Sequence, residues 1–376
     1  MNYSRLMIGA RVVASITLGA FAFGGVGCGP NESSAEPESE TSAEDALHGR
    51  RQISAVELAS SWPIADTERS ATANDAHLLG AATIRSAKGA TCQPGKRGPR
   101  GDFLLTISSG GLPRAALVHV PDDYEPEVGS MLVLNFHGFT SDAAQQAVLS
   151  RMNDASDRRN FIAVYPQGIA RSWNAGSCCG QAWIDAVDDV AFVRDLLDRL
   201  ESSWCIDEHR VFATGMSNGG FMSHHLACNL PDRIAAIAPV AGVHGFPSDS
   251  CQPKRSIPVL EFHGTWDPLV PYGGGVPLLS LDIPLPISFP PVAKTVTDWK
   301  SRNACKGTPK LLFKSSDTQC AGWTSCADDA DVILCTTARG GHTWPGGVHI
   351  PVLGKTTDAL SATETMISFF AAHPMP

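Results

Sequence analysis

"ATGMSNGGFM", residues 213–222, sets one serine among three glycines directly after a β-like run over Arg210–Thr214. The pattern Gly215-x-Ser217-x-Gly219 is weak alone, because 35 of the 376 residues are glycine. Its meaning depends on what flanks it. A strand before it and a helix after it would make a turn so tight that the residues two away from the serine must lack a Cβ. The hydroxyl is then lifted above the edge of a sheet.

The surroundings supply that frame. Met131–Phe136 is a nearly unbroken apolar run, as expected of a strand covered on both faces. Strands are also expected at Ala115–Val120, Phe161–Tyr165, Val211–Thr214, Ile234–Pro239, Val259–His263 and Val332–Thr336. Between them fall helical segments. In Asp188–Cys205 the residues Val190, Val193, Leu196, Leu197 and Leu200 recur at spacings of three and four, with Asp188 or Asp189 as a cap. Helices are likewise expected at Asn218–Ala227, Ala293–Arg302 and Asp358–Phe370. Apolar strands alternating with helices define an α/β fold, a mostly parallel central sheet with helices on both faces. Ligands in such sheets bind at the carboxyl ends of the strands.

A serine hydroxyl at that edge is a poor nucleophile without a general base, itself oriented by an acid. Both partners follow in order. Strand "VLEFHG" (259–264) runs into Asp267, and strand "DVILCTTA" (331–338) runs into His342. The order Ser217, Asp267, His342 is that of the α/β-hydrolase fold and differs from the chymotrypsin and subtilisin orders. Asp328, Asp329 and Asp331 precede a strand, and His349 lies away from a strand end, so they are weaker candidates. Strand "LVLNFHGFT" (132–140) ends in the loop expected to complete an oxyanion hole. Its donors would be the backbone N–H groups of Phe139 and Asn218.

The runs "LNFHGFTSDA", "VYPQG", "WNAGSCCG", "VDDVAFVRDLL", "GMSNGGFMSHHLAC", "VLEFHGTWDPLVPY" and "GGHTWPGG" together resemble the polyhydroxybutyrate depolymerase-like esterases. These are secreted α/β-hydrolases grouped with feruloyl and acetylxylan esterases, and the resemblance spans roughly residues 92–372. It implies the triad Ser217, Asp267 and His342, the last two from H-G-x-x-D and G-H-T-W. It also implies hydrolysis of carboxylic esters through an acyl-enzyme, with no cofactor. The same triad could serve an acyltransferase.

Trp173, Trp266 and Trp344 are candidate substrate-binding residues, since pockets are commonly aromatic-lined, with a core position as the alternative for Trp173 and Trp344. Residues 273–292, "GGGVPLLSLDIPLPISFPPV", carry five prolines and cannot form a regular helix or central strand. They form either a loop packed on the core or an apolar wall beside the site. His224 and His225, inside the helix after the serine, read as packing or surface residues. Asp185, Asp188 and Asp189 could suggest a metal, but helix capping explains at least one of them more simply, and no metal is assigned.

At the amino terminus, Arg5 and Arg11 precede an uncharged, largely apolar run over Val12–Gly27, shorter than the roughly 18 to 20 residues of a membrane span. It ends in Gly25-Val26-Gly27-Cys28, similar to a lipobox, with Gly25 where leucine is usual. Residues 1–27 therefore read as a signal peptide with Cys28 as the lipidated first residue. Cleavage after Ala20-Phe21-Ala22, releasing a soluble secreted protein, is the alternative. Residues 28–88 form an acidic, largely disordered tether with Glu32, Glu36, Glu38, Glu40, Glu44 and Asp45. Residues 89–376 are the catalytic domain. Membrane contact is expected only through the lipid, and the net charge of −9 argues against a nucleic-acid partner. Of 11 cysteines, ten remain after Cys28, an even number in an exported chain, so the domain should be disulfide-stabilised. The adjacent Cys178 and Cys179 are expected to bond to separate partners.

Overall fold

The computed structural model describes residues 98–176, 178–279 and 287–376. The expected signal peptide, Cys28 and the acidic tether lie outside the described residues, as does the middle of the proline-rich stretch. The described chain opens with an antiparallel hairpin, β1 (Gly101–Ser109) and β2 (Leu112–Val120). Then come β3 (Ser130–Phe136), helices α1 (Ala143–Ser150) and α2 (Met152–Arg159), and β4 (Ile162–Gln167). A short helix α3 (Gly180–Ile184) leads to α4 (Asp189–Ser203), β5 (Ile206–Met216) and α5 (Asn218–Asn229). Strands β6 (Ile237–Val240) and β7 (Val259–Gly264) precede α6 (Val292–Arg302). The remainder is β8 (Lys310–Ser315), β9 (Thr318–Trp323), β10 (Val332–Thr337) and α7 (Ala362–Ala372).

The ten strands of the described residues join one sheet in the order β1-β2-β4-β3-β5-β6-β7-β10-β9-β8. The six central strands from β4 to β10 run parallel, and the outer strands on both sides are antiparallel. β3 shows why its sequence is apolar throughout. Leu132, Leu134 and Phe136 pack into one core with Phe192 and Leu196 of α4, Met222 of α5 and Trp299 of α6. Met131 and Val133 point the other way, into a second core with Met152 of α2 and Ile367 and Phe370 of α7. A sheet covered on both faces excludes water from both, so the period-two polarity of a half-exposed strand disappears. This is the α/β-hydrolase architecture expected from the element pattern.

Local signals match the element ends. Asp188 caps α4 by accepting from Ala191 N at 2.8 Å, and Ser361 caps α7. Disulfides join Cys228 to Cys251, Cys305 to Cys326 and Cys320 to Cys335. One expectation fails: Cys178 and Cys179 are bonded to each other rather than to separate partners. Cys228, Cys251 and His244 are the described residues that come together as metal-type donors, but the two sulfurs share a disulfide and offer no thiolate. No described helix is long and apolar enough to cross a membrane.

Candidate active site

Ser217 sits between β5 and α5 with φ 57° and ψ −124°, a conformation that β-branched or bulky residues avoid. Its N–H donates to Val240 O at 2.9 Å, which fixes the turn against β6. The glycines are required by contact. A Cβ on Gly219 would lie 2.1 Å from Phe136 O, and one on Gly215 would lie 2.5 Å from the same atom. The first turn of α5 therefore rests directly on the end of β3.

Asp267 follows β7 and His342 follows β10. Since β5, β7 and β10 are parallel members of one sheet, their carboxyl ends bring Ser217, Asp267 and His342 to the same edge. His342 Nδ1 donates to Asp267 Oδ2 at 2.7 Å. The other carboxylate oxygen, Oδ1, accepts from the backbone of Leu269 at 2.9 Å and Val270 at 2.8 Å. Burial alone would raise the Asp267 carboxyl. The charges and hydrogen bonds of His342 and His263 outweigh it and hold the group well below the usual carboxylate range. His342 N donates to Leu353 O at 2.8 Å, which seats its loop. The weaker candidates are elsewhere: His349 is exposed and pairs with Asp358, and Asp331 pairs with His373.

The loop after β3 lies against the serine, since a Cβ on Gly138 would be 3.4 Å from Ser217 Cβ. His137 organises this loop. Its Nδ1 donates to Gly138 O at 2.8 Å, while Nε2 accepts from Gly168 N at 3.0 Å. Burial pushes the imidazole down to about 4, so it stays neutral in that tautomer. Phe139 is half-buried beside the serine loop. Asn218 is the first residue of α5, where a backbone N–H has no intrahelical acceptor.

Asn218 does more than its sequence position suggests. Its side chain is fully buried, with Oδ1 accepting from Trp173 N at 2.7 Å. Its Nδ2 donates to Trp173 O at 3.1 Å and Cys178 O at 2.9 Å. It therefore ties the 173–178 loop to the serine turn. Asp189 anchors the other side of that loop. It accepts from Asn174 N at 2.8 Å and pairs with the buried Arg114 at 2.6 Å.

Two of the three candidate tryptophans belong to the core. Trp173 is fully buried, meets Phe136 edge-on and donates Nε1 to His137 O at 2.9 Å, so it supports the loop after β3. Trp344 is fully buried in the second core and donates Nε1 to Thr363 Oγ1 at 3.0 Å. Each indole N–H has found an internal partner, which leaves the ring to fill core volume rather than form a wall. Trp266, by contrast, is 61% exposed beside Asp267, with the Arg339 guanidinium 5.5 Å from its ring centre. The described ends of the proline-rich stretch supply more apolar surface here. Val276, Leu278 and Leu279 are exposed, and the backbone of Leu278 and Leu279 bonds to Pro268 O, next to Asp267. Phe289 of the same stretch is buried against Phe221, so the segment is part wall and part core.

The sequence reading passed over Glu261 and His263. They occupy alternate positions in the central strand "VLEFHG" and share its face. Two ionisable residues in an otherwise apolar inner strand were the available signal. His224 is a packing residue as expected, fully buried between Glu261 and Trp299, and His225 stacks on Phe246.

Residues 119–252 match the family model described as esterase PHB depolymerase. The chain is 32% identical over 236 residues to feruloyl esterase B of Piromyces equi, covering 61% of this chain and 42% of that one. It is 30% identical over 294 residues to NocK of Nocardia uniformis subsp. tsuyamanensis, a protein named as an esterase, covering 73% of this chain and 85% of that one. A bifunctional acetylxylan esterase/xylanase of Neocallimastix patriciarum is 29% identical over 162 residues, 43% of this chain and 22% of that protein. The chain thus spans less than half the length of the Piromyces and Neocallimastix relatives.

Proposed function

The chain belongs to the polyhydroxybutyrate depolymerase-like, feruloyl esterase-like family of esterases, and from that premise we propose that it is an exported serine esterase. The observation that carries this reading is the buried Asp267–His342 bond at the sheet edge that also bears Ser217 in its strained turn. In the proposed reaction Ser217 Oγ attacks the ester carbonyl while His342 Nε2 takes its proton. Asp267 holds the imidazole in the required tautomer and stabilises the imidazolium. The Phe139 and Asn218 backbone N–H groups receive the negative charge that develops on the carbonyl oxygen. His342 then returns the proton to the departing alcohol, and water repeats the sequence on the acyl-enzyme. Every proton is handled by side chains, so the cycle needs no cofactor or metal.

The substrate we favour is a polyhydroxyalkanoate-type polyester or its oligomers. The exposed Trp266, Val276, Leu278 and Leu279 beside the Asp267 loop support it, because apolar surface of that kind suits an apolar ester. A feruloyl or acetyl ester of plant polysaccharide is the second reading, supported by the names of the relatives and by Trp266 as a flat surface on which a ring can stack. Export, lipid attachment at Cys28 and the acidic tether belong to the same proposal. Clearing of a polyhydroxybutyrate emulsion, with no ferulate released from arabinoxylan, is the expected outcome. Ferulate release without clearing would select the second reading, and inertness toward both and toward a short-chain p-nitrophenyl ester would refute the esterase assignment. Acyl transfer to an added alcohol in preference to water would identify an acyltransferase instead.

A further inference from the structure

Behind the Asp267–His342 bond the protein buries a second carboxylate and a second imidazole. The side chains of Glu261, His263 and Asp267 are all shielded from solvent. Among the ion pairs of the described residues, both carboxylates meet only histidines. Glu261 meets His224 at 3.2 Å and His263 at 3.6 Å, and Asp267 meets His263 at 3.4 Å and His342 at 2.7 Å. Two buried carboxylates this close to one ring need a cation between them or a proton on one of them.

The hydrogen bonds locate that proton. Trp299 Nε1, from α6, donates to His224 Nδ1 at 3.0 Å, so the proton of the His224 ring is on Nε2 and points at Glu261 Oε2. His263 Nε2 faces Val270 O at 2.8 Å and must carry a hydrogen to bond it. The other His263 nitrogen, Nδ1, and Glu261 Oε1 face each other, both fully buried and neither with another hydrogen-bond partner. Without a hydrogen between them, a ring lone pair would confront a carboxylate oxygen. With one, the orphaned atoms become a pair.

We propose that Glu261 and His263 are positioning residues for the triad acid: Glu261 holds His263 as a buried imidazolium, and His263 holds the Asp267 carboxylate charged and directed at His342. The groups facing His263 are Glu261 on β7, Asp267 in the following loop, and the Tyr272 ring, edge-on at 5.9 Å with its hydroxyl on Thr336. His224 of α5 and Trp299 of α6 stand behind Glu261, and His342 faces Asp267 from the far side. Burial would lower the His263 imidazole, but the hydrogen bonds and charges of Asp267 and Glu261 raise it to about 10. The group of Glu261, His263 and Asp267 then carries one net negative charge toward His342, as a lone triad aspartate would.

This inference rests on the esterase reading, and its charge balance gives a signature that a merely structural role would not. Glu261→Gln removes one negative charge, leaves His263 to close on Asp267, and weakens the hold on the His342 imidazolium. The acid limb of the kcat/KM profile should move to lower pH by about one unit. The same variant should lose about tenfold in kcat with KM within about twofold, well short of the ~10⁴ that follows disabling a triad acid. His263→Gln removes the cation, so one of the two buried carboxylates must take up a proton. One net negative charge still faces His342, and the limb should stay near that of the wild type. Glu261→Asp, which keeps the charge, should leave the limb where the wild type has it. In parallel, ¹⁵N NMR of the Ser217→Ala protein should show both His263 ring nitrogens protonated at pH 8, and the pH at which that signal disappears should fall when Glu261→Gln is added. A limb that stays put in folded Glu261→Gln, or a neutral His263 ring at pH 8, would overturn the proposal. Should those variants not fold, the NMR of the Ser217→Ala protein decides alone. A wild type inert toward esters would sink the esterase reading, while the NMR would still report on the pair.

Discussion

Replacing Asn218 by alanine removes a fully buried amide that makes three hydrogen bonds across some 40 residues of sequence, to Trp173 N, Trp173 O and Cys178 O. A net hydrogen bond contributes about 1 kcal/mol, and a buried group left without a partner costs about 1 to 3 kcal/mol. One backbone N–H and two carbonyls are orphaned, so the expected loss is about 3 to 5 kcal/mol, the lower figure if water enters the vacated space. Aspartate sharpens the test. It keeps the acceptor for Trp173 N but turns a carboxylate oxygen toward two carbonyls, so Asn218→Asp should be at least as unstable as Asn218→Ala. Urea unfolding with the slope held constant measures both, since a change in midpoint alone reports stability. Activity should also fall, by about 10- to 100-fold in kcat, because the loop that Asn218 holds runs on to Gly180, where a Cβ would strike the Phe139 ring. Loss of less than about 1 kcal/mol in Asn218→Ala, or an aspartate variant more stable than the alanine one, would refute the reasoning.

Gly219→Ala should fail to fold or lose about 3 kcal/mol or more, because its methyl would meet backbone, Phe136 O at 2.1 Å, rather than a movable side chain; soluble yield and thermal unfolding report this. Asp267→Asn should keep the fold and lower kcat on a short-chain ester by about 10⁴, since the amide favours the wrong His342 tautomer; a loss under tenfold would remove Asp267 from the triad. Stability should fall with acid in a defined window. Burial holds His137 at about 4 and His244 at about 3, so each stays neutral in the folded protein while its unfolded counterpart takes up a proton below about 6.5. Their contribution is complete above about pH 6.5 and is lost as pH falls through 6.5 toward 4, which urea midpoints at pH 7.5, 5.5 and 4.5 would follow.

What the sequence disclosed was whatever depends on local pattern. The inner strands were legible because water is excluded from both faces, and the helix at Asp189–Ser203 because its apolar spacing and its cap agree. The placement of Ser217, Asp267 and His342 after parallel strands of one sheet was legible because each follows an apolar run. The hairpin β8–β9 was not, since Lys310, Lys314 and Gln319 give an edge hairpin the polarity of a loop. Wall and core both stayed open for Trp344 and Trp173, for a different reason. Sequence position near a candidate site says nothing of which way an indole turns, and both turn inward to bond Thr363 and His137. The Asn218 amide and the Glu261–His263 pair depend on partners far along the chain, and such partners follow only from the folded topology.

The nucleophile itself is open to direct chemistry. Treatment with a fluorophosphonate, followed by peptide mass spectrometry, should give a single adduct on Ser217 in the wild type and none in Ser217→Ala, whose ester turnover should be lower by roughly 10⁴ to 10⁶. An unlabelled wild type, an adduct on another residue, or near-normal turnover in folded Ser217→Ala would contradict the assignment of Ser217, and with it the serine esterase mechanism.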